Sequence, residues 1–191
     1  MSRLSPQLLI VTCNSLVAAF ERRSRLMRAL AVDLTFTPEI VDGVPGKSWD
    51  VAFIDHCGYW SHFDERSGTS AWPVPEGLDV RALGMFGADA GLLHDDPEEG
   101  DIFLQYAAHR KAFVHAGVVS AVLGEGTVNR TSYVNLATIE GDTDHAGRLR
   151  GGRAMRMDRR LSCAPGDCYL RWTEIDGTSR PLTDEFIRRS A

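Results

Sequence analysis

LLIVTCNSLVAAFERRSRLMRAL, residues 8–30, is the stretch on whose reading the fold turns. Its opening Leu8–Val11 is a compact apolar run, of a length that suits a buried parallel strand and falls short of a helix. Asn14 or Ser15 can then cap a helix along which Leu16, Phe20, Met27 and Leu30 recur at helical spacing. Arg22, Arg23, Arg25 and Arg28 crowd its remaining surface. Strand followed by helix is therefore the expectation for this stretch.

Working outward, DLTFTPEIV (33–41) reads as a second strand running into the turn DGVPG. WDVAFID (49–55) reads as a third, with Asp55 at its C-terminal end. That order predicts an α/β fold, a mostly parallel sheet flanked by helices with a right-handed crossover, in the Rossmann-like manner. Ligands of such sheets lie outside the carboxyl ends of the strands. The rule nominates Thr12, Cys13 and Asn14 after the first strand, Asp42 after the second, and Asp55 with His56 after the third.

From Cys57 to about Gly100 no steady period survives, and the segment is expected to be a long middle loop. DIFLQYAAHRKAFVHAG (101–117) reads as a second helix, closed by Gly117. VVSAVL (118–123) and SYVNLATI (132–139) are strand-like, CYLRWTEI holds another strand, and a short helix is expected near TDEFIRR. No repeat or linker divides the chain, so residues 1–191 are read as a single α/β domain.

Composition narrows the function classes. With 43% hydrophobic and 25% charged residues among 191, the chain has the make-up of a globular protein with a sizeable core. No apolar run approaches the roughly 20 residues of a membrane span, and Leu8–Val11 is too short for a signal-peptide core, so a cytoplasmic protein is expected. A net charge of −5 argues against a dedicated nucleic-acid binder, although residues 147–160 hold six arginines and one aspartate. Such a segment suits phosphate recognition as well as a solvated surface. The four cysteines make no disulfide scaffold and lack zinc spacing, so free thiols are expected.

The chemistry-bearing candidate is ATIEGDTDHAG (137–147), where acids follow an apolar run. Asp142 and Asp144 can place two carboxylates around one hard cation, Mn²⁺ or Mg²⁺, with Glu140 as a further ligand or a general base. The same residues are what any polar turn selects, and the sequence leaves both readings open. DGVPGKS is not a phosphate loop, because Val41 stands where the first glycine is needed. His56, Cys57, His62 and Asp64 show no metal-binding spacing, and His109 and His115, six apart, would not share a helix face.

The N-terminal stretch through VDGVPG resembles the opening of glycosyltransferase family 25, the lipopolysaccharide-type sugar transferases, through its ERR..R helix and VDG turn. Arg22, Arg23, Arg25, Asp42 and Gly43 are the matching residues. GDIFLQYAAHRKAF is similar to that family's histidine-bearing helix, with His109 in the histidine's place, and TIEGDTD stands where its acidic metal motif is expected. The resemblance implies a GT-A-like fold that moves a sugar from a nucleotide-sugar donor to an unknown acceptor. A glycan or a phosphate-bearing polymer would serve as that acceptor. It further implies substrate contacts from Thr12, Cys13, Asn14, Arg22, Arg25, Asp42 and His109, a metal on Asp142 and Asp144, and Glu140 as base. The alternative is a receiver-like, flavodoxin-like pseudo-receiver acting as a binding or signalling module. In it Asp55 falls at the phospho-acceptor position, but Thr12-Cys13 stand where the cation-holding acids belong.

Overall fold

The computed structural model describes residues 4–22, 50–128, 131–143, 153–162 and 166–175. Helix α1, Pro6–Arg22, begins where the sequence suggests a strand. Pro6 sits in its first turn, where a missing N–H costs nothing. Leu9, Cys13 and Val17, four residues apart, form its buried stripe. The apolar run Leu8–Val11 thus belongs to a helix rather than to a strand.

Helix α2, Asp50–Ser61, replaces the expected third strand. Its residues Val51, Phe53, Ile54, Cys57 and Gly58 are buried. A Cβ on Gly58 would overlap the Trp72 indole, so the bare glycine lets that ring lie on the helix. A small hairpin follows, β1 (Phe63–Asp64) with β2 (Thr69–Ser70). Helix α3, Val80–Ala90, is capped by Asp79, whose carboxylate accepts the Ala82 N–H at 2.7 Å, and is closed by Gly91 in the left-handed region. The expected long loop is therefore built of regular elements.

The remaining strands are β3 (Leu93–His94), β4 (Ile102–Ala107), β5 (Ala112–Val128), β6 (Thr131–Thr143), β7 (Arg153–Ser162) and β8 (Cys168–Leu170). A 3-10 turn, Trp172–Glu174, follows. The strands form one sheet of order β3-β8-β4-β5-β6-β7, in which every pairing is antiparallel. No parallel pairing occurs among the described residues, so the Rossmann-like, GT-A-like expectation is overturned, and the flavodoxin-like alternative with it. The expected helix at 101–117 is the β4–β5 hairpin, whose turn ends at Lys111 with φ 51°. The strands expected at 118–123 and 132–139 are present within β5 and β6, and the one in CYLRWTEI is β8. The expected strand at 33–41 and the helix near TDEFIRR lie outside the described residues.

The helices cover one face of the sheet. Ile102, Leu104, Ala116, Val118, Ile139, Cys168 and Leu170 point into a core shared with Leu9, Cys13, Val17, Val51, Phe53, Ile54 and Leu83. Phe103, Val119, Val134, Leu136 and Tyr169 form a second buried cluster on the opposite face. Burial on both faces removes the alternation that marks a half-exposed strand. No described helix is long and apolar enough to cross a membrane.

Candidate functional site

β5 outruns its partner. Its ladder with β6 begins at Val118↔Ile139, whereas its ladder with β4 continues down to Ala112. The Ala116 N–H is consequently free of a strand partner, and Asp50, the first residue of α2, accepts it on Oδ2 at 3.0 Å. The same oxygen lies 3.1 Å from His115 Nδ1. The helix N-terminus favours the negative charge, and Asp50 Oδ1 accepts the Val51 N–H at 2.9 Å.

The other ring nitrogen, His115 Nε2, meets Glu140 Oε2 at 2.8 Å. Glu140 stands on β6, and Arg159 of β7 holds both of its oxygens through Nε and Nη2. Thr138 donates its hydroxyl to Glu140 Oε1. The Arg159 guanidinium also lies 5.7 Å from the centre of the Phe103 ring. Gly117 makes this approach feasible: a Cβ there would strike the Phe103 ring and come within 2.8 Å of Glu140 Cγ. Asp50, His115 and Glu140 are each exposed by no more than 1%.

Electrostatics follow from this enclosure. Burial works against a charged His115, but the hydrogen bonds and charges of Asp50 and Glu140 outweigh it and raise the imidazole pKa. Burial likewise works against an ionised Glu140, yet Arg159 and His115 together pull its carboxyl down to about 2. The ring thus lies between the carboxyl groups of Asp50 and Glu140, with a guanidinium behind the second. Such an arrangement can pass a proton along its hydrogen bonds or brace two elements together.

Of the sequence-predicted site residues that are described, one, Glu140, lies here, bonded on both oxygens rather than free at a turn. Thr12, Cys13 and Asn14 fall in the middle of α1; Cys13 is in the core beside Cys57, and Asn14 accepts from Arg156. Their nomination rests on a strand end, and the helix removes that basis. His109 is exposed in the β4–β5 turn. Asp142 is buried at an irregular step of the β6–β7 ladder, with φ 54°. Arg22 is the last residue of α1, and Arg25, Asp42 and Asp144 lie outside the described residues. Among the described residues no group of three or more His, Cys, Asp or Glu side chains is arranged to hold a metal ion, so the Mn²⁺ or Mg²⁺ expectation gains no support.

Sequence reasoning passes over Asp50, His115 and Arg159. The first reads as part of a strand, the second as part of a helix, and the third as part of a basic surface segment. The short alternation of His115 and Gly117 around Ala116 is the signal available, and the shift of the β4–β5 ladder breaks it before Phe113. The fold and site together define an antiparallel α+β protein with a buried carboxylate–imidazole–carboxylate array. Comparison with models of protein families, with curated proteins and with solved structures found no match to this chain.

Proposed function

We propose that the protein is a hydrolase working through the triad Asp50–His115–Glu140. The supporting observation is one buried imidazole bonded by carboxylates from two different elements, one of them at a helix N-terminus. In triads of this kind one group attacks, the imidazole moves protons, and the third group orients the ring. Glu140 suits the orienting role, because Arg159 and Thr138 hold its oxygens and keep it ionised. Asp50 suits the attacking role, because the dipole of α2 and the Ala116 N–H fix its carboxylate against the ring.

The chemistry balances with these three groups and water. Asp50 attacks an electrophilic carbon, the bond to the leaving group breaks, and protonated His115 gives that group its proton. The product is an ester on Asp50 and a neutral imidazole. His115 then takes a proton from water, and the hydroxide attacks the ester carbonyl. The alkoxide departs with the proton left on the Asp50 carboxyl, which yields the alcohol and restores the carboxylate beside the imidazolium.

A single-turnover reaction in ¹⁸O-water tests this. Expected is ¹⁸O in the Asp50 carboxylate, with turnover abolished in Asp50→Asn and His115→Ala. Turnover that persists in Asp50→Asn, with no label in residue 50 of the parent protein, overturns it.

A second reading draws on the near-complete burial of the three side chains and the bonding of both Glu140 oxygens. In it the array braces α2 to the sheet of a binding module. It is favoured where Asp50→Asn and His115→Ala lower stability while the parent protein turns over no alkyl halide or other alkyl substrate with a displaceable group. The nucleotide-sugar transferase expectation has no common site among the described residues on which to build.

A further inference from the structure

Gln105 carries an unsatisfied buried atom. Among the described residues its Oε1 is the buried side-chain polar atom that receives no hydrogen bond. A shielded amide oxygen without a donor is destabilising, and folds rarely keep one. Its position is informative. The β4–β5 register sets Gln105 directly opposite His115, and opposed residues of an antiparallel pair share a face. Phe103 lies on that face too, its ring 5.8 Å from the His115 ring. The ladder shifts immediately after Gln105, an irregularity of the kind that re-aims side chains beside functional groups.

The polar side chains of the array are engaged: His115 with Asp50 and Glu140, and Glu140 with Thr138 and Arg159. None of them has a donor directed to Gln105. The residue as a whole is only partly buried, since β4 runs outward from here to an exposed turn. An acceptor kept bare at the rim of a fully bonded array is matched to a donor that arrives from outside the chain.

We infer that Gln105 is a specificity-determining residue of this site, its Oε1 accepting a hydrogen bond from a substrate that carries an N–H or O–H donor. This rests on the triad reading for the word substrate, but it is tested without turnover. The probes are acetamide, which has an N–H donor, and methyl acetate, which is similar in size and has none. Each is titrated to tens of millimolar into the ¹⁵N-labelled protein, with the amide and imidazole resonances followed by NMR.

Acetamide is expected to shift the resonances of Gln105 and His115, and methyl acetate to leave them unmoved. Gln105→Met should abolish the acetamide response and raise Tm by a few degrees, because a thioether of similar length relieves the bare oxygen. Equal responses to the two probes, an acetamide response that survives in Gln105→Met, or a lowered Tm in that variant would each overturn the inference. Loss of turnover in Asp50→Asn bears on the triad alone, so the two readings fail separately.

Discussion

Two carboxyl groups beside α2 experience opposite fates. Glu140, joined through His115 to the helix N-terminus, is held down to about 2. Asp55, about one and a half turns along the helix, is pushed up to about 8. Desolvation is the largest influence on both, and it raises both. The difference is made by neighbours. Glu140 has the Arg159 guanidinium and the His115 ring, whereas Asp55 has a 3.5 Å contact from the Trp72 Nε1–H and faces the charge of Glu76. Burial decides how much a charge matters, and the partners decide its sign.

The most damaging way to break the contrast is to remove a partner from the array. Arg159→Met strands Glu140 and should lower the unfolding free energy by about 3–5 kcal/mol, read by urea denaturation. If the loss is below about 1 kcal/mol, Glu140 is not held ionised by the guanidinium.

Next in size is the pH dependence. Glu140 has a folded pKa below its ordinary 4.5, so its stabilisation is complete above that value and is lost as pH falls towards about 2. His115 is raised above 6.5, so its contribution is present below 6.5 and is lost as pH rises through the folded value. The contribution of the pair, taken as the stability of the parent minus that of a Glu140→Gln, His115→Asn double variant, should therefore be flat between about pH 4.5 and 6.5, with an acid limb of about 3 kcal/mol and an alkaline limb. Denaturation midpoints of both proteins across pH check this, and an alkaline fall of equal size in the two would assign it to a group other than His115.

Asp55 sharpens the comparison from the other side. Its raised pKa means that the folded chain binds a proton that the unfolded chain releases, so stability falls with pH between about 4 and about 8. Asp55→Asn keeps the oxygen that Trp72 reaches and should gain about 2 kcal/mol at pH 7, while flattening that slope. A destabilised variant would show that the carboxylate is ionised and useful there.

The smallest effect lies away from both groups. Lys111→Gly, at φ 51° in the β4–β5 turn, should change stability by less than about 1 kcal/mol, with a gain if relief of the left-handed strain exceeds the glycine entropy. It serves as a control that leaves the array untouched.

Some elements are legible in the sequence. The strands at 118–123 and 132–139 stand where β-branched residues cluster, and β8 stands in CYLRWTEI. The helical character of residues 14–22 is readable from spacing. The errors share one cause. Leu8–Val11 and VAFID are short apolar runs, and short runs do not distinguish a strand from the buried side of a helix. DIFLQYAAHRKAFVHAG contains no glycine or proline at its turn, so alanine-rich helix propensity hides the hairpin. Of the site, Glu140 stands out as chemically active, read there as part of an acidic turn, whereas β6 continues past it to Thr143.

By itself the sequence determined a chain with enough apolar residues for a core, an acidic balance, and several strands and one helix where local preference was strong. Tertiary structure alone decided that the sheet is antiparallel and that Asp50, His115, Glu140 and Arg159 meet. Those four lie on α2, β5, β6 and β7, and the first and last are 109 positions apart. Their encounter depends on strand register and on the extra length of β5, which are set by packing across the whole sheet rather than by neighbours along the chain.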